Sequence, residues 1–267
     1  MRDEKIAEEE KNPVDFHVVI PARYASTRLA HKVLQPIHNK PMVQHVYDAA
    51  IASGAESVTI ATEDEHVATA CKKFGAEVCM TSDEHQTGTE RVAEAVATVG
   101  FDEEDIVVCL QADEPMMPSQ LIYQVAQDLA NHDQVKVATI ATPIKQVEEL
   151  FNPAVVKVAL NHRNYALYFS RAPIPWDREH FSDKKNHEKI ALEYYFRHLG
   201  IYAYHAGFLD TYVNWTQPAI EKLESLEQLR VLWQGYKIHV HITDFDVPPG
   251  VDTPEDLERI RKLPRKS

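Results

Sequence analysis

The spacing of hydrophobic positions alternates in a regular way along residues 15–142. Short apolar runs such as FHVVIP (16–21) and DIVVCLQ (105–111) are typical of β-strands, and the second is apolar at consecutive positions, as a strand buried on both faces requires. Segments between such runs, for example MVQHVYDAAIAS (42–53), carry apolar residues at helical spacing. The alternation predicts the α/β fold class, with a doubly wound, mostly parallel sheet.

The pattern is less regular after residue 142. AVVKVALN (154–161) and ALYFSR (166–171) predict the two strands of a hairpin, and LESLEQLRVLWQG (223–235) predicts one long amphipathic helix. The charged segment PIPWDREHFSDKKNHEK (173–189) has no periodicity and is typical of a lid or a dimer arm.

We therefore expect one α/β domain over residues 15–267, preceded by a charged, solvated tail over residues 1–14. Within the domain, residues 15–142 form the regular half. A smaller mixed lobe covers about residues 143–240, and residues 241–263 return to the core.

Charge and composition narrow the function classes. The net charge of −13, from 41 acidic and 28 basic residues, argues against a sequence-independent nucleic-acid binder, whose affinity rests on Lys and Arg. No apolar run approaches the roughly 20 residues of a membrane span, and no secretory signal is visible at the N-terminus. Cys71, Cys79 and Cys109 lie in or beside apolar segments and predict buried free thiols. We expect a cytoplasmic protein.

Two segments follow predicted strands where open α/β sheets bind ligands. The loop after FHVVIP carries the cations Arg23, Arg28 and Lys32, but none of the glycines that phosphate-binding loops usually contain. The segment QADEP (111–115) presents two carboxylates that suit Mg²⁺. Surface charge and a solvated strand end explain the same residues equally well. Neither a Rossmann glycine fingerprint nor a Walker loop occurs.

Longer blocks of sequence identify a protein family more specifically than these two segments do. From about Phe16 to Arg261 the sequence resembles the cytidylyltransferases of 3-deoxy-D-manno-octulosonate (Kdo), which are sugar nucleotidyltransferases of Rossmann-like fold. The matching blocks are IPARYASTRLAHK, KPMVQHVYDAA, GAEVCMTSDEHQTGTERVAE, QADEP, FNPAVVKV, ALYFSRAPIPWDR, RHLGIYAY, LEQLRVLWQG and GVDTPEDLERIR.

The resemblance implies a site for CTP, Kdo and Mg²⁺. It assigns the metal to Asp113 and Asp252, and catalysis to these two residues with Arg23 and Lys32. Thr87 or Thr89 would also cap the helix that follows. The implied nucleotide-binding residues are Ala22, Arg23, Arg28, Lys32, Thr87, Gly88, Thr89, Arg91 and Gln111, and the implied sugar-binding residues are Arg171, His198, Glu227 and Gln228.

The implied reaction joins CTP and Kdo to give CMP-Kdo and pyrophosphate, for lipopolysaccharide synthesis, in a homodimer that pairs through ALYFSRAPIPWD (166–177). Two alternatives stay open. One is a cytidylyltransferase for a related acidic sugar such as 8-amino-Kdo, and the other is a non-catalytic nucleotide-binding paralogue. For His198 a satisfied strand-edge histidine, and for Glu227 a solvated helix residue, are the structural alternatives.

The paralogue is considered because two family glycines are replaced. Leu-Pro-Gly-Lys is here Leu29-Ala30-His31-Lys32, and Gln-Gly-Asp-Glu-Pro is here QADEP with Ala112. If either position is left-handed, a side chain there is strained, by roughly 1 kcal/mol for Ala112 and less for His31. Because every charged and metal-binding residue is retained, we expect an active enzyme with altered affinity for CTP.

Overall fold

The computed structural model describes residues 14–26 and 28–263, so the predicted tail lies outside the described residues except for Val14. The secondary structure follows the predicted alternation. Its elements are, in chain order, β1 (His17–Pro21), β2 (Pro36–Ile37), β3 (Lys40–Pro41), α1 (Met42–Ile51), β4 (Ser57–Thr62), α2 (Glu65–Lys72), β5 (Glu77–Met80), α3 (Gly88–Val99), β6 (Ile106–Leu110), α4 (Ser119–Ala130), β7 (Val137–Pro143), α5 (Val147–Phe151), β8 (Lys157–Leu160), β9 (Ala166–Ser170), β10 (Phe196–His205), α6 (Ala206–Val213), α7 (Ala219–Glu224), α8 (Gln228–Trp233), β11 (Ile238–Ile242) and α9 (Pro254–Arg261).

One large sheet organises the molecule. Its strand order is β11-β7-β10-β6-β1-β4-β5, and the hairpin β8–β9 branches from β10. Along this order neighbouring strands are parallel except that β10 runs antiparallel to β6 and β7, and the hairpin pairs β8–β9 and β8–β10 are antiparallel as well. All five residues of β6 are buried, as expected for a central strand covered by helices on both faces. The predicted fold class is confirmed.

The strand order reverses between β1 and β6. From β1 the chain proceeds outward through β4 and β5, and it then returns to place β6 on the other side of β1. The carboxyl ends of two adjacent parallel strands therefore open onto a common crevice, which is where open α/β sheets bind ligands. The loops that leave these strands are residues 22–32 and residues 111–115.

The second half of the chain does not stand apart from this sheet. Strand β10 is inserted between β6 and β7, and β11 forms the edge next to β7. The hairpin predicted around residues 162–164 is confirmed, since β8 and β9 pair antiparallel and Asn164 takes the left-handed conformation at their turn. The region between β9 and β10 consists mainly of loop and short 3-10 helices.

The single long helix predicted over residues 223–235 is wrong. Helix α7 ends at Glu224, Ser225 is left-handed at φ 51°, and α8 begins at Gln228. The backbone carbonyls of Glu224 and Ser225 accept hydrogen bonds from the Arg171 guanidinium, at 2.7 and 3.5 Å. Because a tertiary contact uses carbonyls at the end of α7, apolar periodicity alone did not show the break.

Local sequence signals explain several other ends of helices. Thr87 and Thr253 each cap a helix in a capping box, and Pro254 occupies the first turn of α9, as the sequence predicts. Cys71, Cys79 and Cys109 are buried free thiols, also as predicted. Among the described residues, no helix is both long and apolar enough to cross a membrane.

Candidate active site

The loop after β1 brings two of its predicted cations to the crevice. The Lys32 ammonium lies 2.6 Å from Asp113 Oδ2 and 3.0 Å from Asp252 Oδ1, and Arg28 Nη2 lies 2.8 Å from the same Asp252 oxygen. Burial works to lower the pKa of Lys32, but the charges and hydrogen bonds of the two carboxylates outweigh it and raise that pKa. Lys32 therefore stays an ammonium between two carboxylates.

The two aspartates meet because distant segments pack tightly. Asp113 follows β6, whereas Asp252 precedes α9, and the Val251 amide donates to the Asp113 carbonyl at 2.9 Å. A Cβ at Gly250 would lie 3.0 Å from that carbonyl oxygen and 2.6 Å from Glu114 Oε1. Glycine at position 250 is thus required for this approach, a requirement that sequence reasoning missed.

Glu114 is the second of the two QADEP carboxylates considered for Mg²⁺, but its burial was not expected from the sequence. Its carboxyl group faces the same crevice, and burial, with the neighbouring Asp113 charge, raises its pKa to about 8 against the opposing effect of Arg197. Arg197 is held by Glu149 at 3.2 Å and by the Val247 carbonyl at 2.6 Å. In sequence, Glu114 looked like part of a turn, and nothing local to it signals this burial.

A smaller cavity of about 180 Å³ lies on the β1 side of Asp113. Gly88 contributes its backbone here, and a Cβ at this position would come within 3.1 Å of the Gln111 amide. The wall therefore combines cations, small residues and an amide. The predicted nucleotide-binding residues that line it are Arg23, Lys32, Thr87, Gly88, Arg91 and Gln111.

Three predicted nucleotide-binding residues lie elsewhere. Ala22 is fully buried, and its amide donates to the Ala61 carbonyl at 2.8 Å. Arg28 and Thr89 line the larger neighbouring cavity instead. Arg91 does reach the smaller cavity, but its guanidinium is buried, pairs with Glu63 at 3.0 Å and hydrogen-bonds to Thr81, so it also holds the wall together.

The larger cavity, of about 560 Å³, adjoins the smaller one through Gln111, Asp113 and Glu227, which line both. Glu227 Oε2 accepts hydrogen bonds from the Thr89 amide at 3.1 Å and from the Thr89 hydroxyl at 2.6 Å. Glu227 is therefore tied to the start of α3 rather than exposed to solvent on a helix. Gln228 is 5% exposed, lines the larger cavity, and its Nε2 has no hydrogen-bond partner among the described residues.

His198 enters the larger cavity from β10. Its Nε2 lies 3.0 Å from Thr139 Oγ1, and that hydroxyl donates to the Ile201 carbonyl at 2.7 Å, so the imidazole donates to the hydroxyl oxygen. Burial lowers the pKa of His198 to about 3. The ring is thus neutral at neutral pH.

Arg171 is the one predicted sugar-binding residue that lines neither cavity. Besides bonding the end of α7, its guanidinium donates to the Pro153 carbonyl at 3.1 Å. Behind it, the buried Lys157 ammonium donates to the carbonyls of Asn152, Val155 and Arg171, and its pKa is lowered to about 8 by burial and the Arg171 charge. Arg171 and Lys157 together fix the outer wall of the larger cavity, residues 152–156.

The residues at the junction of the cavities fit a divalent cation. Asp113 and Asp252 offer carboxylate oxygens, the donors that Mg²⁺ prefers, and both already surround one positive group, the Lys32 ammonium. The donor set contains no thiol or imidazole that would favour a softer metal.

The two replaced glycines have different environments. His31 is left-handed at φ 51°, and its ring stacks on Tyr24 with centroids 4.1 Å apart. Ala112 has negative φ and is 3% exposed within the core cluster, so the strain considered for a left-handed alanine does not arise. Ala112 lines the smaller cavity, whereas His31 lines neither.

Comparison with known proteins places this geometry in a family. The family model described as cytidylyltransferase matches residues 17–238. The 3-deoxy-manno-octulosonate cytidylyltransferase of Coxiella burnetii is 56% identical over 248 residues, which cover 93% of this chain and 99% of that protein. That of Pasteurella multocida is 52% identical over 257 residues, with 94% and 99% covered.

Solved structures agree with the sequence relatives. The structure of CMP:2-keto-3-deoxy-manno-octonic acid synthetase complexed with CTP superposes with a TM-score of 0.83 at 40% identity, and covers 92% of this chain and 97% of that one. A cytidylyltransferase from Leptospira borgpetersenii, at 16% identity and a TM-score of 0.58, shares the fold. The chain therefore belongs to the cytidylyltransferase family, among the 3-deoxy-manno-octulosonate cytidylyltransferases that its motifs resemble.

Proposed function

We infer that this protein is a nucleotidyltransferase that transfers CMP from CTP to Kdo, giving CMP-Kdo and pyrophosphate. The observation that carries this function is the pair of adjoining cavities, the smaller lined by the β1-loop cations Arg23 and Lys32 and the larger by His198, Glu227 and Gln228, with Asp113 lining both. A transferase needs two substrates side by side with charge stabilisation where they meet. The relatives' activity, named for the Coxiella burnetii protein, matches this arrangement.

The smaller cavity is proposed to hold the nucleotide. Arg23 and Lys32 supply the positive charge that stabilises the phosphates, and Gly88, which has no side chain, leaves its backbone open to the nucleotide. When CTP enters, its phosphates compete with Asp113 and Asp252 for the Lys32 ammonium. We expect Lys32 to exchange a carboxylate for a phosphate, which leaves the carboxylates available.

Asp113 and Asp252 are proposed to hold Mg²⁺ once Lys32 is engaged by phosphate. Mg²⁺ bound there supplies Lewis-acid stabilisation of the charge on the reacting phosphate. Arg28, 2.8 Å from Asp252, orients that carboxylate. Glu114, with its pKa near 8, adds little negative charge at neutral pH, so the site is not overloaded with carboxylates.

The larger cavity is proposed to hold Kdo. His198, Glu227 and Gln228 present a neutral imidazole, a carboxylate and an amide to a substrate rich in hydroxyl groups. The 2-hydroxyl oxygen of Kdo attacks the α-phosphorus, and the bond to the departing pyrophosphate breaks. Arg171 acts here by fixing the wall through the carbonyls it binds, rather than from inside the cavity.

We also propose a cytoplasmic homodimer that serves lipopolysaccharide synthesis. The segment 166–177 exposes Leu167 and Trp176, at 61% and 62%, and apolar side chains at this exposure are typical of a surface covered by a partner. Sedimentation equilibrium should give twice the chain mass, and a Leu167→Glu, Trp176→Glu double variant should give the single chain mass. A monomeric parent protein would contradict this part of the proposal.

The function is tested by pyrophosphate release from CTP in the presence of Mg²⁺, with Kdo, 8-amino-Kdo or no sugar. We expect release that requires Mg²⁺ and is fastest with Kdo, since the relatives that this chain matches act on that sugar by name. Faster turnover of 8-amino-Kdo would shift the assignment to a related sugar. CTP binding without release from either sugar would support the non-catalytic alternative, which the retained aspartates and lysine do not favour.

A further inference from the structure

A cluster of one aspartate and three histidines lies far from the two cavities. Asp128 and His132 are one turn apart near the end of α4, and His239 and His241 lie on the same face of the edge strand β11. Helix α4 starts beside the active-site loop, and about 14 Å of helix separates Ser119 from Asp128. The cluster therefore lies toward the opposite end of the sheet, and the proposed transfer reaction does not use it.

The imidazoles converge on one carboxylate. His239 Nδ1 lies 2.6 Å from Asp128 Oδ2, and His241 Nδ1 lies 3.8 Å from Asp128 Oδ1. His132 Nδ1 lies 3.8 Å from the same Oδ1 and hydrogen-bonds to the Asp128 backbone carbonyl at 2.7 Å. The rings of His132 and His239 have centroids 3.6 Å apart. Three potential ligand atoms lie within 4.8 Å of one another, one each from Asp128, His132 and His239.

We propose that Asp128, His132 and His239, with His241 as a fourth ligand, form a second metal site, which binds a divalent transition-metal ion such as Zn²⁺. Imidazole and carboxylate are ligands that Zn²⁺ and Cu²⁺ take, whereas the oxygen-only pair Asp113 and Asp252 suits Mg²⁺. The two sites differ in chemistry and so select different ions.

The spacing is compatible with tetrahedral coordination. Ligand atoms about 2.0–2.2 Å from Zn²⁺ are separated by about 3.3–3.6 Å, so the atoms of Asp128, His132 and His239, already within 4.8 Å of one another, would have to approach by up to about 1.5 Å to enclose an ion. The hydrogen bond between Asp128 and His239 would be exchanged for bonds to the metal. The present cluster is thus a close precursor of the bound geometry.

Burial and access also suit a metal site. The side chains of Asp128 and His239 are 7% and 8% exposed, whereas those of His132 and His241 are 31% and 32% exposed. The anionic ligand is consequently shielded from water, while the partly exposed imidazoles leave an entry path.

A metal here would link the last turn of α4 to the edge strand. Residue 239 also forms a bridge with Tyr165 at the start of β9, so the ion would fix one side of the hairpin β8–β9 as well. A ligand that binds only the folded state raises the free energy of unfolding with the logarithm of its concentration over its Kd. We therefore expect Zn²⁺ to raise the thermal midpoint of the protein.

The test uses the untagged full chain in millimolar Mg²⁺ without nucleotide. Zn²⁺ is titrated against a chromophoric chelator, and Cu²⁺ is bound at one equivalent for electron paramagnetic resonance. We expect one tight Zn²⁺ site and nitrogen hyperfine structure on Cu²⁺, which carboxylate ligands alone cannot produce. His132→Gln and His241→Gln should each weaken Zn²⁺ at least about tenfold, with pyrophosphate release in Mg²⁺ unchanged.

The matched control is His162→Gln, an exposed histidine in the nearby β8–β9 turn, which should bind Zn²⁺ like the parent protein. The proposal is overturned if the parent protein shows no nitrogen coupling to Cu²⁺. It is also overturned if neither His132→Gln nor His241→Gln weakens Zn²⁺, or if His162→Gln weakens it as much.

Discussion

The two sides of the active site are built in different ways. On the side proposed to bind the nucleotide, charged groups on loops pair with one another, as Lys32 does with Asp113 and Asp252. On the side proposed to bind the sugar, His198 and Gln228 belong to β10 and α8, are enclosed, and carry no charge in their ordinary state at neutral pH. The first side holds ion pairs that a substrate can replace, whereas the second presents fixed polar groups.

This difference suggests a division of labour. Without substrate, Lys32, Asp113 and Asp252 neutralise one another as ion pairs. When substrate binds, the triphosphate can take the place of the carboxylates beside Lys32, and Mg²⁺ can take the place of the ammonium beside Asp113 and Asp252. The side proposed for the sugar instead leaves Gln228 Nε2 buried with no hydrogen-bond partner in residues 14–26 and 28–263, a cost in stability that substrate hydroxyls would relieve. The predictions below change one side at a time.

The largest effect is expected from Asp113→Asn. The amide keeps the shape of the side chain but removes the charge that pairs with Lys32 and would hold Mg²⁺, so kcat should fall at least about 100-fold, or about 2.7 kcal/mol. Pyrophosphate release at saturating CTP and Kdo measures the change. Asp48→Asn, which removes an exposed ion pair with Lys40 on α1, is the control and should retain full activity. Near-normal kcat in Asp113→Asn would remove Asp113 from the catalytic residues.

The second prediction concerns acid stability on the sugar side. His198 has a pKa of about 3 in the folded protein and about 6.5 when unfolded, so the unfolded state binds the extra proton between these values. Stability is consequently lost as pH falls below 6.5, by about 2 kcal/mol at pH 5. Urea unfolding at pH 7 and pH 5 should show that His198→Gln loses about 2 kcal/mol less than the parent protein over this interval. Equal losses would mean that His198 is not held neutral.

Sequence alone could predict the nucleotide half well. Strands β1 and β6 are apolar runs, and the loops that follow them carry Lys32 and Asp113, so local pattern and the rule for parallel sheets place the site. The pairing of Asp113 with Asp252 came only from family resemblance, because no periodicity relates residues so far apart. Gly250, which permits their approach, gave no local signal.

The sugar half was less predictable for a physical reason. Its walls are held by contacts between distant segments, such as Glu227 with Thr89 and Arg171 with the carbonyls after α7. Such contacts also lie where the single helix predicted over residues 223–235 is interrupted between α7 and α8. The resemblance placed Arg171 at the sugar, whereas its guanidinium lies in the wall, where only the folded chain brings those carbonyls together.

The third prediction separates function from stability at Gln228. Leucine has a similar size but no amide, so Gln228→Leu removes a buried donor that has no partner in the part of the chain that the structure describes. The free energy of unfolding should stay the same or rise by up to about 1 kcal/mol. The KM for Kdo should rise about tenfold, or about 1.4 kcal/mol, with the KM for CTP unchanged. Loss of stability together with a normal KM for Kdo would show that Gln228 serves packing.

The smallest effect is expected at His31, where the family carries glycine. His31→Gly relieves the backbone strain of a side chain in the left-handed conformation. It also increases the conformational entropy of the unfolded chain and removes the stacking on Tyr24. These contributions oppose one another, so the free energy of unfolding should change by less than about 1 kcal/mol and the KM for CTP by less than about threefold.

A double-mutant cycle with Tyr24→Leu isolates the stacking. If the ring contact offsets the backbone strain, urea unfolding should give a coupling of about 0.5–1 kcal/mol between positions 24 and 31. A CTP KM that falls tenfold in His31→Gly would instead mean that the imidazole crowds the nucleotide. The difference between the two sides would then be sharper, because a side chain that lines neither cavity would still limit the binding of a charged substrate.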